Sequence, residues 1–364
     1  MPSPVTGGVG ASAGDTGAQG GDTTTHAQNM NGSAVGGTGP HAAGSMNDPP
    51  AQVAPGGSAG ALANPPDSPD PQPDSGPPPA APPTVIAAAG DVASEGGDQR
   101  KTADILLDLL ENRGLALILM LGDGAYRFSN LQQYQALYDP TWGVPELKSI
   151  TRPVPGNHEY LETGNAKEYF DYWNGAGQDD GPAGPRDKGY YSFDLNGWHF
   201  VALNSSEDCR YLPCGEGSEQ LAWLEADLAA HAGAPCTLAY VHNPRYQNGT
   251  HRGDTPELQA IWSALYDANV DVVLAGHEHN YQQFSPMDKQ GNVDLARGIR
   301  SFVVGMGGAR DFREVFGDAH MAAEEKRIVQ TSGVLELSLS EAGYAWRYLT
   351  VNGTVEASGD DVCH

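Results

Sequence analysis

From residue 84 onward, short apolar runs alternate with amphipathic segments. The runs TVIAAA, LALILML, CTLAYV and VDVVLA have the length of buried strands, and each ends at a glycine or a polar residue. Between the first two runs, segment 98–112 places Ile105, Leu106, Leu109 and Leu110 on one helical face, and Gly114 ends this helix. We predict further helices at 130–138, at 164–173, at 217–231, where Ser218 begins the helix, and at 254–267.

The later part of the chain has a different pattern. The segments YYSFDL and WHFVALN flank Asn196-Gly197, which is the strongest short signal for a β-hairpin. After Gln290 only strands are predicted, in GIRSFVVGMG, GVLELSLS and YAWRYLTV. Strands that first alternate with helices and then form hairpins predict a mixed α/β domain with two sheets.

The first 83 residues differ in composition, because they contain no Lys, Arg, Phe, Tyr or Trp. A segment of Gly, Ala, Pro, Ser, Thr and Asp buries too little apolar surface to offset the entropy lost on ordering. We therefore predict that residues 1–83 form a disordered spacer whose Pro-rich end is semi-rigid. Residues 84–364 would form one folded domain, and the spacer would suit tethering to a surface.

The chain is strongly acidic, with a formal net charge of −26. This charge repels phosphate at long range, so it argues against nucleic acid as a non-specific partner. An anionic substrate would need local positive charge, which bound metal ions supply. No apolar run reaches the roughly 18 residues of a membrane-spanning helix.

Four cysteines, Cys209, Cys214, Cys236 and Cys363, allow three pairings. Cys209 and Cys214 lie in a polar loop, where a disulfide would close a small ring. Reduced thiols are the alternative, but we favour disulfides and an exported, extracytoplasmic protein, either secreted or on the cell surface. The start, MPSPVTGG, lacks the pattern of a signal peptide, so we expect that a leader is missing from this numbering.

Polar residues follow each of these four apolar runs and a fifth, ITRPVP. Because ligands of α/β sheets bind beyond the carboxyl ends of strands, these clusters are expected to converge. Their carboxylate, amide and imidazole groups suit Zn, Mn or Fe, and one bridging carboxylate would suit a pair of ions. The six candidate ligands are Asp91, Asp123, Asn157, His242, His277 and His279.

The ordered motifs GD, GDGAY, GNHE, VHNP and GHEH resemble those of the calcineurin-like metallophosphoesterases, over roughly 84–310. The tyrosine of GDGAY, with no histidine two residues after Asp91, makes the chain more similar to the purple acid phosphatase branch. The resemblance implies an α/β fold in which a β-sandwich of two mixed sheets is flanked by helices, in four αββα layers.

The resemblance also implies a role for each motif residue. Asp91, Asp123, Tyr126 and His279 would bind the first metal ion. Asp123 would bridge to a second ion, which Asn157, His242 and His277 would also bind. Iron with Zn or Mn is the expected pair, and Ca or Mg are further options.

Substrate contacts are implied for Asn157, His158 and His251. His158 would stabilise the transition state or protonate the leaving group, and His251, in the loop QNGTHRG, stands where the purple enzymes have a second catalytic histidine. The implied reaction is hydrolysis of small phosphate monoesters by a metal-bound hydroxide, in a secreted enzyme. A phosphodiesterase or nucleotidase is the main alternative, and a non-catalytic, metal-stabilised binding module is another.

Several of these residues have ordinary structural explanations. An aspartate after a glycine, such as Asp91, is often a turn or cap residue, and Tyr126 would also suit a buried aromatic with a hydrogen-bonded hydroxyl. His251 could be a solvated loop residue. We expect Glu159 to orient its neighbours rather than react. His199 is expected to be a strand residue, and His231 a surface residue.

Overall fold

The computed structural model describes residues 82–249, 253–310, 317 and 319–364. The predicted spacer 1–83 lies almost wholly outside the described residues and stays a prediction. The alternation of strands and helices from residue 84 is confirmed. In chain order, the strands are β1 (Thr84–Ala89), β2 (Leu115–Met120), β3 (Thr151–Pro153), β4 (Tyr191–Leu195), β5 (Trp198–Ala202), β6 (Cys236–Val241), β7 (Val272–Ala275), β8 (Tyr281–Met287), β9 (Ile299–Val304), β10 (Glu324–Ile328), β11 (Gly333–Ser340), β12 (Gly343–Thr350) and β13 (Val355–Val362).

The helices lie mainly between the strands of the first two thirds of the domain. A π-helical turn at Tyr134–Tyr138 continues the second helix, and a 3-10 turn at Pro256–Leu258 precedes the last. The α-helices are α1 (Gln99–Arg113), α2 (Leu131–Gln133), α3 (Pro145–Lys148), α4 (Lys167–Trp173), α5 (Ser206–Cys209), α6 (Glu219–Ala230) and α7 (Gln259–Asp267).

The strands form two mixed sheets. The first has the order β13-β12-β11-β1-β2-β3, and its strands β1, β2 and β3 are parallel neighbours. The second has the order β10-β8-β9-β7-β6-β5-β4, and its strands β5, β6, β7 and β9 are parallel. Each sheet contains both parallel and antiparallel pairs, which confirms the prediction of two mixed sheets.

The sheets pack face to face around one apolar core. Ile86, Leu119 and Leu337 of the first sheet share this core with Phe200 and Leu274 of the second. Helix α1 packs on the outer side of the first sheet. The next residues along the second sheet, Val201 and Val273, point away from the core and pack against α6 and α7. The layers are therefore αββα, as the resemblance implied.

Local signals in the sequence set several element ends. Gly114 has a φ of 67° and its N–H donates to Leu109 at the end of α1. The side chain of Ser218 accepts a hydrogen bond from the Leu221 N–H, 3.1 Å away, at the start of α6. Asn196 and Gly197 both have positive φ in the turn between β4 and β5, as the hairpin signal predicted.

All four cysteines form disulfides. Cys209 pairs with Cys214, and Cys236 pairs with Cys363. The second bridge joins the start of β6, in the second sheet, to the residue that follows β13, in the first sheet. Among the described residues, no helix has the length and apolar character needed to cross a bilayer.

Candidate metal centre

The five polar clusters meet at one end of the sandwich. Asp91, Asp123 and Asn157 follow β1, β2 and β3, which are parallel neighbours in the first sheet. His242 and His277 follow β6 and β7, which are parallel neighbours in the second sheet. The carboxyl ends of both sets of strands therefore bring carboxylate, amide and imidazole groups together between the sheets.

One group of donor atoms surrounds the hydroxyl of Tyr126. This hydroxyl donates to Asp91 Oδ1 at 2.7 Å and lies 3.0 Å from His279 Nε2. His279 Nε2 is also 3.0 Å from Asp91 Oδ1. The structure thus brings together the three side chains that the sequence assigned to the first ion alone.

A second group contains Asn157, His242 and His277. The amide oxygen of Asn157 lies 3.1 Å from His242 Nε2 and 2.9 Å from His277 Nδ1. The two imidazole nitrogens are 3.2 Å apart. These three side chains are the ones that the sequence assigned to the second ion alone.

Asp123 lies between the two groups. Its Oδ2 atom is 3.1 Å from the hydroxyl of Tyr126 and 3.4 Å from Nε2 of His242. One carboxylate therefore touches a member of each group, which is the position that a bridging ligand must occupy.

The donor set fits metal ions. Donor atoms about 3 Å apart are the spacing expected around one ion with bonds of about 2.1 Å. One donor atom each from Asp91, Asp123 and His242 lies within 4.8 Å of the other two. Both carboxylates are buried, and their ion-pair partners in the described residues are histidines rather than Lys or Arg. Buried carboxylates need compensating positive charge, which cations at this position would provide.

The electrostatics of His242 and Asp123 reflect this need for positive charge. Burial lowers the pKa of His242, but the carboxylates of Asp123 and Asp91 outweigh burial and raise it to about 10. Burial raises the pKa of Asp123, but His242 and His158 hold it well below its usual range. Without a metal, a proton on the imidazole therefore compensates the carboxylates, and a cation would take over that role.

Burial raises the pKa of Tyr126 well above its usual range, and the negative charges of Asp123 and Asp91 raise it further. The hydroxyl therefore keeps its proton in this negative surrounding. A phenolate ligand would need strong positive charge at the site.

A backbone carbonyl orients His242. Its Nδ1 lies 2.7 Å from the carbonyl oxygen of Leu121, to which it donates. This contact leaves Nε2 to face Asn157 and Asp123, as a metal-binding histidine requires. The sequence contains no signal for the role of Leu121, because its carbonyl belongs to the backbone of another strand end.

Glycines and left-handed residues form the loops that carry the ligands. Gly122 has a φ of +87°, and a Cβ there would lie 2.5 Å from Nδ1 of His242. A Cβ on Gly156 would overlap Oδ1 of Asp123. Asp91, Asp123 and His277 themselves have φ of 58°, 51° and 69°. Such backbone strain is typical of functional sites. The close approach of neighbouring atoms explains why glycine stands at 122 and 156, directly before two of the candidate ligands.

His158 faces the centre from the loop after β3. Its backbone N–H donates to Asp123 Oδ1 at 2.9 Å, and its ring packs 4.6 Å from the ring of Tyr126. Nδ1 lies 2.5 Å from the carbonyl oxygen of Arg127, so Nδ1 donates there. Nε2 then points inward, 3.7 Å from Asp123 Oδ2, while 21% of the side chain stays exposed.

Glu159 is buried and orients the loops, as the sequence indicated. Its carboxylate accepts hydrogen bonds from the backbone N–H groups of Asp123 (3.0 Å), Gly124 (2.9 Å) and Gly156 (2.6 Å). It also accepts from the hydroxyl of Tyr134 at 2.9 Å. One side chain thus joins the loop of Asp123 to the loop of Asn157 and His158.

Two further polar residues, His251 and Asn243, lie in or near the loop after His242. His251 lies outside the described residues, so its assignment stays a prediction. Asn243, directly after His242, is buried and hydrogen-bonds with residues outside the two donor groups. Its side chain accepts from Ser205 Oγ at 2.7 Å and donates to Asp208 Oδ1 at 3.0 Å.

Comparisons with known proteins agree with this geometry. A model of the calcineurin-like phosphoesterase family matches residues 84–281. Purple acid phosphatase 21 of Arabidopsis thaliana is 32% identical over 212 residues, which are 56% of this chain and 45% of the plant protein. The chain therefore spans less than half of the length of that relative.

Two solved structures share the fold. A purple acid phosphatase, PPD1, from yellow lupin seeds has a TM-score of 0.59 at 20% identity, covering 76% of this chain and 53% of the lupin chain. GAP50, the anchor in the inner membrane complex of Plasmodium, has a TM-score of 0.58 at 16% identity. The match covers 78% of this chain and 90% of the GAP50 chain. At these identities the similarity concerns the fold alone.

Proposed function

The chain belongs to the calcineurin-like phosphoesterase family, and we therefore propose that it hydrolyses phosphate monoesters at a dinuclear metal centre. The observation that carries this proposal is the arrangement of two donor groups on either side of Asp123. The proposed ligands are Asp91, Asp123, Tyr126, Asn157, His242, His277 and His279.

The donor chemistry suits iron together with Zn or Mn, and Ca or Mg are further options. Bound ions would supply positive charge for the phosphate oxygens and would acidify water, which is the chemistry that ester hydrolysis needs. Asp123 would hold the two ions at a fixed separation. Leu121 and Glu159 would keep the ligands oriented from outside the centre.

His158 is the proposed proton donor to the leaving oxygen. Because Nδ1 donates to the Arg127 carbonyl, Nε2 is the nitrogen that faces the centre and that would reach a bound substrate. An exchangeable proton on Nε2 would neutralise the charge that develops on the departing alkoxide or aryloxide. His251 is proposed as a second contact to substrate.

The substrate is proposed to be a small phosphorylated molecule. Beside Tyr126 lies an open depression of about 610 Å³, lined in part by Glu95, Arg127 and the exposed ring of Phe128. This depression offers space for the organic part of a monoester. The two disulfides support an extracytoplasmic site of action, because such bonds persist in oxidising compartments.

The variant Asp123→Asn tests the proposal. It keeps the size of the side chain but removes the bridging charge, so we expect metal content to fall and aryl phosphate hydrolysis to fall at least about 100-fold. Asp360→Asn, on the exposed strand β13, is the matched control and should retain both properties. Wild-type turnover in Asp123→Asn would overturn the proposal, and a higher rate on a diester than on the monoester would favour a phosphodiesterase instead.

A further inference from the structure

The loop that starts at Tyr126 forms one wall of the open depression beside the candidate centre. The depression has a volume of about 610 Å³, and its lining also includes Glu95, Ala136 and Leu137. Tyr126 belongs both to this lining and to the first donor group, because its hydroxyl lies 2.7 Å from Asp91 Oδ1. The depression therefore begins at the donor groups and continues outside them.

Hydrogen bonds on both sides hold this loop in place. The Tyr126 N–H donates to the carbonyl oxygen of Ala93, in the loop after β1, at 2.7 Å. The Phe128 N–H donates to the side-chain oxygen of Gln133, in α2, also at 2.7 Å. The loop is therefore positioned before any ligand arrives, which lowers the entropy cost of binding.

Phe128 presents an apolar ring on this wall. It is 44% exposed, although its ring is large and apolar. A single exposed apolar side chain needs no explanation by itself. Phe128 differs because it lines a depression together with Tyr126, Ala136 and Leu137, next to candidate metal ligands. Together these side chains form an apolar surface that a ligand would cover.

The Phe128 ring also lies close to the proposed proton donor. The carbonyl oxygen of Arg127, the residue before Phe128, is 2.5 Å from Nδ1 of His158. Consecutive Cα atoms are about 3.8 Å apart, so Phe128 begins one residue away from this contact. His158 is proposed to protonate the leaving oxygen, and a group attached to that oxygen would therefore come within reach of the ring.

We propose that this depression binds the leaving group of phosphate monoesters that carry an aromatic ring, and that Phe128 is the residue that selects for the ring. This inference rests on the monoester hydrolysis proposed above. Aromatic rings gain from offset-stacked or edge-to-face contact with each other, and a saturated group lacks this gain. A contact to the organic part of the substrate that persists in the transition state raises kcat/KM.

The charged residues of the depression do not favour an ionic leaving group. Arg127 and Glu95 both belong to the lining and carry opposite charges. Their charges give no net preference for an anion or a cation on the organic part. The chain's net charge of −26 also disfavours a second anionic group. The ring of Phe128 is therefore the feature of this wall that distinguishes one organic group from another.

Relative rates on three monoesters of primary alcohols test the inference with the metal-loaded full chain. Benzyl, cyclohexylmethyl and ethyl phosphate have leaving oxygens of similar basicity, so differences in kcat/KM report contacts to the organic group. We expect wild type to favour benzyl phosphate over the other two. Phe128→Ala should lower the ratio of kcat/KM for benzyl to ethyl phosphate about 5–10-fold, and Phe128→Tyr, which keeps the ring, should retain the ratio.

Leu295→Ala is the matched control, because Leu295 is an exposed apolar residue outside the depression, and it should keep the wild-type ratio. The ratio does not depend on the fraction of active protein, so partial folding or metal loss in a variant does not imitate the expected result. Equal ratios in wild type and Phe128→Ala would overturn the inference. Equal wild-type rates on benzyl and cyclohexylmethyl phosphate would also overturn it, and either result would leave monoester hydrolysis standing.

Binding of analogues that cannot be hydrolysed separates this inference from the proposed function. Benzylphosphonate and ethylphosphonate are titrated into metal-loaded wild type and Phe128→Ala by calorimetry. We expect wild type to bind benzylphosphonate about 5–10-fold more tightly than ethylphosphonate, and Phe128→Ala to bind the two about equally. If none of the phosphates is hydrolysed, the proposed function fails, and this binding difference alone then decides whether Phe128 recognises an aromatic ring. Equal binding of the two phosphonates by wild type would overturn the inference.

Discussion

At the scale of single residues, Asp123 holds the candidate centre together. It touches Tyr126 of one donor group and His242 of the other, and His158 donates to it through the backbone. The six Asp, Asn and His ligands could be proposed from sequence because each follows an apolar run. The hydrogen bonds that orient them, accepted by the Leu121 carbonyl and the Glu159 carboxylate, could not be proposed from sequence, since they depend on the fold.

The hydroxyl of Tyr126 has a spectroscopic prediction. If iron occupies the first position, a phenolate bound to the ferric ion gives a charge-transfer band and a purple protein. Tyr126→Phe keeps the ring that packs on His158 but removes the hydroxyl, so we expect the visible band to disappear. A colourless wild-type protein that contains iron would contradict the assignment of Tyr126 as a ligand.

Glu159 has a prediction that separates orientation from catalysis. In the native protein, three backbone N–H groups donate to the Glu159 carboxylate. Glu159→Gln replaces one acceptor oxygen with an amide that cannot accept, so the free energy of unfolding should fall by about 1–3 kcal/mol. Metal affinity should fall about 10–100-fold, as for other residues that orient ligands. Tyr134→Phe removes only the hydroxyl contact and is the control. Wild-type metal affinity in Glu159→Gln, measured by competition with a chelator, would show that these contacts do not support the site.

At the scale of elements, the loops after parallel strands build the centre. The ends of β1, β2, β6 and β7 were predicted correctly, because buried parallel strands are continuous apolar runs that are easy to detect. Strand β3 has only the three residues TRP and no such run. Strand β8 was missed, because YQQFSPM contains polar residues that are buried in the fold. Gln282, for example, is satisfied by hydrogen bonds with Asn280 and Asn248 that no local pattern reveals.

Gly122 tests how closely these loops approach each other. Gly122→Ala forces an alanine into a φ of +87° and places its Cβ 2.5 Å from His242 Nδ1. Gly197→Ala is a matched control, since Gly197 has a φ of +86° with no atom within 4 Å of the added Cβ. Both variants should lose about 1–2 kcal/mol of stability from the backbone. We expect only Gly122→Ala to lose metal as well, measured by elemental analysis, and equal metal content in the two would contradict this view of the loop.

At the scale of the whole molecule, the sandwich holds ligands from two sheets at one end. The Cys236–Cys363 disulfide joins the sheets, and Arg300 of β9 also pairs with Asp361 of β13. Sequence alone left three cysteine pairings open, because spacing does not determine which chain segments meet. The structure shows that the distant pair connects the last strand to the centre of the second sheet.

The two disulfides should differ in their effect on stability. The Cys236–Cys363 bridge closes a separation of 127 residues and the Cys209–Cys214 bridge closes one of 5. In the chain-entropy model, removing the first costs about 5 kcal/mol and the second about 2 kcal/mol. Double Cys→Ser variants of each pair, compared by denaturant unfolding, would measure the difference. A larger loss for the short loop would contradict this explanation.

The most direct test of the proposed dinuclear centre is anomalous X-ray diffraction from crystals of the metal-loaded protein. We expect two peaks about 3.5–4 Å apart, with Asp123 between them. One peak should lie beside Asp91, Tyr126 and His279, and the other beside Asn157, His242 and His277. A single peak, or two peaks without Asp123 between them, would contradict the central claim that this carboxylate bridges two ions.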